Sequence, residues 1–382
     1  MSQDPGPSTQ PVGSRGRRTA WLVVAALLLM AGFLVSAPYL SSALRQGYSI
    51  LSNQTTTGPM VDTTGQGSTS TSTVQCSSVV SVKNVTPPDI RNGSADIAYP
   101  PDYCTLASYA LQQINADRAA NGTEPVSLGY NQAAQQHADS MLYYGYFSHL
   151  DVQGYKPYMR YSLLGGRGAD FENVAFLSYS VNHFTNTPAA EEAIAQLESS
   201  MVYNDSACCS NGHKFNILDP LHNIVSIGVT YNGTTLFFDE EFENEYISLN
   251  FTATSASAPN PYYVTMSGTL IQPVTAPNSV YIAFDGAPSP ETTVQLNGGP
   301  HEYGPGTLVG GILPPGFLGG CGQFTTGITV CADTWKFSSA GVDIAFSLRQ
   351  FVETYGPGVY TVYLITESDT NSAITTISVF VP

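Results

Sequence analysis

Few residues in this sequence are placed to do chemistry. It has no H-E-x-x-H, no G-x-S-x-G, no P-loop and no G-x-G-x-x-G opening a helix after a strand. The residue sets for zinc peptidase, serine hydrolase and nucleotide-cradle chemistry are therefore missing. There is a run of acids, Asp239, Glu240, Glu241, Glu243 and Glu245, whose clustered oxygens suit a hard cation such as Ca²⁺. A solvated strand edge is the commoner use of such a run, and that is the expectation. His137 falls mid-helix on a face with polar neighbours, the setting of a structural histidine. The Gly-rich run Gly304–Gly322 (GPGTLVGGILPPGFLGGCG) is apolar and lies among strand patterns, so it reads as an apolar loop rather than a phosphate cradle. The six cysteines, Cys76, Cys104, Cys208, Cys209, Cys321 and Cys331, lack any C-x-x-C metal spacing. In an exported protein they read as disulfides. The spacing of Cys321 and Cys331 suits a hairpin bridge, and Cys208 and Cys209 are then expected to pair separately with Cys76 and Cys104.

Composition narrows the setting for any chemistry. Hydrophobic residues make up 42% of the 382 and charged residues only 11%, about half the usual ~25%. Thirteen Lys and Arg face 29 Asp and Glu, a net charge of −16. Such a surface repels phosphate backbones, which excludes a nucleic-acid partner. Trp21 to Val35 is uniformly apolar and the apolar character runs on to Leu40, with Arg15, Arg17 and Arg18 just before it. This predicts a cytoplasmic tail over 1–18 and a transmembrane signal-anchor over 19–41. A cleaved signal peptide is the alternative, with Val35-Ser36-Ala37 and Ser41-Ser42-Ala43 as small-residue sites. In either case the remainder faces outward, in a single-pass membrane protein or a secreted one. Seven N-x-S/T sequons, at Asn53, Asn84, Asn92, Asn121, Asn204, Asn232 and Asn250, agree with that. Twelve of the 25 residues from 51 to 75 are Ser or Thr. Such a segment cannot bury enough apolar area to fold, so 42–98 reads as a stalk.

The elements that must position any site fall in two blocks. In 99–254, Leu106, Tyr109, Ala110 and Ile114 mark a helix over Cys104–Ala120 that stops near Gly122. A second helix runs from an Asn131 cap to Gly145, and a third spans Ala189–Tyr203. Strands follow at Ile224–Tyr231 and Thr235–Phe242. In 260–382 the period becomes two: Val280, Ile282 and Phe284; Val342, Ile344, Phe346 and Leu348; Tyr360, Val362 and Leu364; Ile377, Val379 and Val381. Gly/Pro turns separate these runs and no helix is expected between them. The pattern is that of an immunoglobulin-like β-sandwich.

Read together, the middle block resembles the CAP superfamily (cysteine-rich secretory, antigen 5 and pathogenesis-related 1 proteins; the SCP domain) in its prokaryotic form. INADRAANG at Ile114–Gly122 is similar to that family's first-helix segment, and QQHADSMLYYGYFSH at Gln135–His149 to its second helix and following F-x-H. FENVA at Phe171–Ala175 resembles its G-E-N segment with Phe in place of Gly, and GHKFNIL at Gly212–Leu218 its G-H-R-x-N-I-L signature. Ser226–Phe242 corresponds to its terminal strand pair. The resemblance implies an α-β-α sandwich for this block and covers neither the anchor nor the β-sandwich. With those two readings added, the chain as a whole is expected to be α+β: an α-β-α sandwich followed by an immunoglobulin-like sandwich, behind a transmembrane helix. The resemblance also implies a central cavity in which His149 and His213 match the two family histidines and Glu172 the first acid. Ser200 stands where the second acid belongs, and Glu198 is the nearest carboxylate. Two imidazoles and a carboxylate are a sensible ligand set for Zn²⁺ with an open position. Asn216, on the same turn as His213, is expected to bond backbone instead.

These readings leave three functions. The first is a non-enzymatic surface module whose groove engages a lipid, glycan or envelope component. The second is a metal-assisted hydrolase with His149 and His213 as ligands and Glu172 as base. The third is a purely structural envelope protein. The missing second acid and the absent protease signatures argue against the enzyme.

Overall fold

Leu106, Ala107, Ala110 and Ile114 form one fully buried stripe of a helix, α1 (Tyr103–Ala120). The computed structural model describes residues 100–382 except 301, 317–319 and 367–371. The anchor, the stalk, Cys76 and the sequons at Asn53, Asn84 and Asn92 lie outside the described residues. No helix among the described residues is long and apolar enough to cross a membrane. Arg118 ends the buried stripe, and its guanidinium donates to the carbonyls of Glu124, Ile217 and His222. A buried cation is tolerated there because its donors are used on backbone oxygens.

The first half continues through β1 (Ser127–Leu128), α2 (Ala133–Tyr144), α3 (Pro157–Leu163), β2 (Ala169–Ser178) and α4 (Thr187–Tyr203). Two short helices, α5 (Ser206–Cys209) and α6 (Gly212–Ile217), precede β3 (Ile224–Tyr231) and β4 (Thr235–Asn244). The Asn131 side chain accepts from Ala133 N–H as α2 opens, and Gly145 ends it in the left-handed conformation at φ 72°. Asn186 caps α4 by accepting from Ala189 N–H. The strands form one sheet in the order β1-β3-β4-β2, so β4 is interior. That placement overturns the expectation for the acidic run. Asp239, Glu240, Glu241 and Glu243 are at most 5% exposed, because β4 is paired on both edges and covered on both faces.

The second half has two sheets. One runs β10-β11-β6-β5 and the other β13-β12-β7-β8-β9. Their strands are β5 (Ile247–Ala253), β6 (Tyr263–Leu270), β7 (Ser279–Asp285), β8 (Thr307–Leu313), β9 (Ile328–Cys331), β10 (Thr334–Ser338), β11 (Gly341–Ser347), β12 (Gly358–Ile365) and β13 (Ala373–Val381). Met266, Ile344 and Phe346 of one sheet and Ile282, Val362 and Leu364 of the other share one fully buried core. Residues 247–253, placed with the middle block on sequence, pair with β6 and so belong to this half. Two short helices also correct the all-strand expectation: α7 (Thr293–Gly298), opened by a Thr292/Gln295 capping box, and α8 (Arg349–Tyr355). The Gly-rich run is not wholly loop, since β8 lies inside it. Gly310 there has φ 146°, and a Cβ on it would collide with the Ile328 backbone of β9.

The halves are joined through β13. Thr376 N–H donates to Gly168 O, Asp170 N–H to Thr376 Oγ1, and Ser378 N–H to Ser162 Oγ. Lys156 Nζ and Tyr158 Oη both donate to Asp285, at 2.7 Å each. Of the cysteines, Cys321 and Cys331 are bonded as expected. Cys208 and Cys209 are bonded to each other, which corrects the separate pairings. Cys104 is also disulfide-bonded.

Candidate functional site

The site is built on the face that β2 and β4 share. Antiparallel pairing sets Asp170 opposite Glu243, Glu172 opposite Glu241, and Val174 opposite Asp239, so five acids alternate onto one side. Helix α2 lies against this face because β3 has Gly228 beside Asp239; a Cβ there would run into the Ala134 backbone. The close approach delivers His137, whose Nδ1 lies 2.9 Å from Glu172 Oε2 and 3.1 Å from Asp239 Oδ2. Helix α3 supplies Arg160, which donates to Glu172 Oε2 through Nη2 and to His149 O through Nη1.

Charge is shared unevenly across this face. Burial works to raise the Glu172 carboxyl, but Arg160, with His137 and His149, outweighs it and holds the group well below the ordinary range. Burial pushes Asp239 and Glu241 well above it, reinforced by Glu172 and Asp170 among their neighbours, and Asp170 is also raised by burial. Burial and mutual repulsion thus favour the protonated forms of these three acids, and Asp170 and Glu241 act on each other as neighbouring carboxyls. Glu243, accepting from Tyr161 Oη and Ser226 Oγ, is pushed up to about 7 by burial. His137 is pushed down by burial and by Arg160, so it is neutral. The donor atoms of His137, Glu172 and Asp239 lie within 4.8 Å of one another, a spacing a metal could use. Arg160 already fills that role: its Nη2 bonds Glu172 and lies 3.1 Å from His137 Nδ1. His137 is therefore structural, but on the buried side of α2, against the charged groups of the sheet.

His149 and His213 are arranged alike on different elements. His149 Nδ1 meets Glu172 Oε1 at 2.8 Å, and His213 Nδ1 meets Asp205 Oδ1 at 2.7 Å. Each carboxylate fixes a ring and leaves Nε2 as its remaining nitrogen. Both histidines line a cavity of about 680 Å³ together with Glu172, Asn173, Tyr158, Cys208, Cys209 and, from the second half, Tyr303, Tyr363 and Thr376. Tyr303 packs on the His149 ring at 4.8 Å, and its hydroxyl accepts from Glu172 N–H at 2.7 Å. The same histidines and cysteines also line an apolar groove of about 370 Å³ formed by Phe147, Val174, Phe176, Leu197 and Met201.

The sequence-derived residues thus divide. His149, Glu172 and His213 meet at one cavity, from positions 23 and 41 residues apart in the chain. Glu198 does not join them. It is 1% exposed and points its carboxyl at Glu240 across the sheet's other side, both raised by burial, Glu240 to about 7. Ser200 lines the apolar groove. Asn216 bonds Phe171 O, Asn173 and His222. Sequence reasoning missed Arg160, Asp205 and Tyr303. No short-range signal marks Arg160 or Tyr303; Asp205 stands eight residues before the histidine it holds, in an otherwise uncharged turn.

The Cysteine-rich secretory protein family model, CAP, matches residues 111–251. The chain has a CAP domain. A search of the curated proteins finds no match. A matching solved structure is the CAP domain of Enterococcal PrgA, 12% identical, covering 44% of this chain and 70% of that one with a TM-score of 0.27. The family resemblance implies a divalent metal held by His149, Glu172 and His213. In this CAP domain the two imidazoles fit the task, since each has its Nδ1 held by a carboxylate as metal-bound histidines do. Glu172 does not fit as a ligand, because its carboxylate is already paired with the buried Arg160 guanidinium, a fixed cation that a metal ion would have to displace.

Proposed function

We propose that the protein is an extracellular, membrane-anchored binding module whose CAP domain takes an amphipathic, single-chain lipid. The apolar chain lies along Phe147, Val174, Phe176, Leu197 and Met201, and the polar end reaches His149 and His213. One observation carries this reading: the apolar groove and the polar cavity share His149, His213, Cys208 and Cys209, so one elongated ligand can satisfy both. Phe176 and Phe215 remain 41% and 68% exposed beside it, more apolar surface than a closed core needs. Two imidazoles with carboxylate-held Nδ1 atoms also support a secondary role for a divalent ion at the polar end.

The wider organisation rests on the sequence and on the geometry together. Trp21–Leu40 supports an anchor and 42–98 a stalk. Exposed side chains at Asn121, Asn204, Asn232 and Asn250 support glycosylation. The two sheet orders support an immunoglobulin-like sandwich: the first follows A-B-E-D and the first four strands of the second follow G-F-C-C′ when β5 is taken as A, with β9 added in parallel at the edge. So does Tyr360, near the start of β12, whose hydroxyl donates back to Gly356 O at 2.6 Å.

The test is a titration of the full-length protein with a fluorescent long-chain fatty acid, set against soluble oligosaccharides. Saturable fatty-acid binding is expected, lost in Phe176→Asp and weakened in His149→Ala. Saturable binding of the oligosaccharide alone overturns the lipid assignment.

A further inference from the structure

At the point where groove and cavity meet, two sulfurs stand next to an imidazole and a carboxylate. Cys208 and Cys209 end the short helix α5, and the next residues, Ser210 and Asn211, are left-handed at φ 53° and 67°. This reversal folds the chain back so that His213 returns beside the cysteines. Asp205, 2% exposed, receives the loop: its Oδ1 holds His213 Nδ1 at 2.7 Å, its Oδ2 accepts from Lys214 N–H at 3.3 Å, and Cys208 Sγ lies 3.6 Å from Oδ1. Asp205, Cys208, Cys209 and His213 each offer one donor atom, and all of these atoms lie within 4.8 Å of one another. Adjacent side chains generally diverge, but the Cys208–Cys209 bond requires both sulfurs to turn to the same side.

We propose that these four residues are a thiolate–imidazole–carboxylate site for a soft divalent cation of the Zn²⁺ class, closed while the Cys208–Cys209 disulfide stands and opened by its reduction. In the disulfide each sulfur is uncharged and bonded to the other, so neither is available as a thiolate ligand. A two-electron reductant changes that. With a phosphine, the phosphorus takes the oxygen of one water and becomes the phosphine oxide, the S–S bond breaks, and two thiols form. A divalent cation then displaces both thiol protons and is held by two thiolates, His213 and Asp205. Tetrahedral Zn²⁺ with Zn–S of about 2.3 Å and Zn–N or Zn–O of about 2.0 Å needs donors separated by roughly 3.3–3.8 Å. The donors already lie within 4.8 Å of one another, so reaching that geometry requires the two sulfurs to part once their bond is broken and the widest pairs to draw in by about 1 Å. Two sulfurs, one nitrogen and one oxygen favour Zn²⁺ over Ca²⁺ or Mg²⁺, which take oxygen alone. Because Cys208, Cys209 and His213 line both the cavity and the groove, the redox state of the pair sets whether their junction holds a cation or an uncharged sulfur bridge. This site does not depend on the lipid reading, which uses the oxidised chain.

The full-length protein is titrated with Co²⁺, as a coloured stand-in for Zn²⁺, before and after phosphine treatment. Thiolate-to-cobalt charge transfer and the visible bands of tetrahedral cobalt are expected after reduction and absent before it. Excess Zn²⁺ should bleach them. Cys208→Ser and Cys209→Ser should each remove the charge-transfer intensity of a two-thiolate site. The pair Cys321→Ser/Cys331→Ser should leave it, which assigns the sulfurs to α5. His213→Ala should weaken cobalt binding by at least the roughly 10–100-fold typical of losing even an outer partner. Alkylating the reduced, unsubstituted protein covers the case in which a variant fails to fold. If mass spectrometry finds Cys208 and Cys209 alkylated but the unalkylated reduced protein binds no cobalt, the site is refuted. Bands that persist after both cysteines are replaced refute it equally.

Discussion

The two halves solve the problem of a core in opposite ways. The CAP half buries Arg118, His137, Arg160, Asp170, Glu172, Glu198, His222, Asp239, Glu240, Glu241 and Glu243 at 3% exposure or less, Glu243 excepted at 5%. Among the described residues of the sandwich half, the buried polar side chains other than tyrosine are Ser279, Thr361, Ser372, Thr375, Thr376 and Ser378, hydroxyls without charge. Both have a full apolar cluster as well, so the acids are not a substitute for hydrophobic burial. They are added to it, against a desolvation cost that the sandwich avoids. The CAP core holds groups whose protonation is set by one another, which is how sites are made.

The largest expected break between the halves is in their response to pH. Glu240 and Glu243 have folded-state values of about 7 against an ordinary 4.5, raised by burial. An acid whose value is raised on folding favours the folded state fully below its ordinary value. That advantage is lost as pH climbs from about 4.5 through about 7. Each such group corresponds to about 3 kcal/mol, and Asp170, Glu198, Asp239 and Glu241 act in the same direction. Glu172, whose carboxyl is held below the ordinary 4.5, opposes them only at pH values beneath that. Hydrogen exchange should therefore show protection of β4 amides falling between about pH 4.5 and pH 8, with β12 amides changing less. Glu243→Gln should flatten part of the β4 slope. Equal slopes in both halves would remove the carboxyl explanation.

Arg160→Met sharpens the same comparison at one residue. It leaves Glu172 buried with only neutral or weakly basic partners, and breaking a buried pair in this way costs about 3–5 kcal/mol. Urea unfolding at pH 7 should register that loss. The loss should shrink in the double variant Arg160→Met/Glu172→Gln, which buries no unpaired charge.

What the sequence made legible follows the same division. In the sandwich, Val342, Ile344 and Phe346 read as a strand because these large apolar residues share its buried face, while Asp343 and Ser347 between and after them stay partly or wholly exposed. In the CAP half α1, α2, α4, β3 and β4 were legible for the equivalent reason, and His149, Glu172 and His213 through the resemblance. The acid run on β4 was misread because period and polarity carry no information about whether a strand is interior. Only the third dimension places β2 and β3 on its two edges and helices over its faces. The Cys208–Cys209 bond escaped because adjacent cysteines ordinarily point apart, and the left-handed turn at Ser210–Asn211 is not written in any short motif. Strand β2 was invisible as a strand, since its acids and amides break the apolar alternation that a half-buried strand displays.

A smaller effect is expected from Tyr360→Phe in the sandwich. It removes a hydroxyl that donates to Gly356 O at 2.6 Å and leaves the ring in place, a loss of about 0.5–1.5 kcal/mol. Because no charge is involved, the loss should be the same at pH 5 and pH 8, both taken as approximate working conditions for the pH comparison. A loss that varied with pH would mean that the sandwich senses the carboxyls after all.

The smallest effect falls where the halves meet. Tyr303 Oη accepts the Glu172 N–H at 2.7 Å while its ring packs on His149 at 4.8 Å. Tyr303→Phe keeps the ring and deletes the acceptor. Water in the adjoining cavity can take the freed N–H, so the cost should be at the low end of a single hydrogen bond, about 0.5 kcal/mol. Tyr303→Ala also strips the ring from His149 and opens the cavity wall between the halves. If the second half is part of the binding site, the phenylalanine variant should bind the fluorescent fatty acid almost as the parent does, and the alanine variant measurably less well under conditions where unfolding curves show both still folded. Equal binding by both would mean that the CAP domain recognises its ligand alone and that Tyr303 serves only to dock the sandwich.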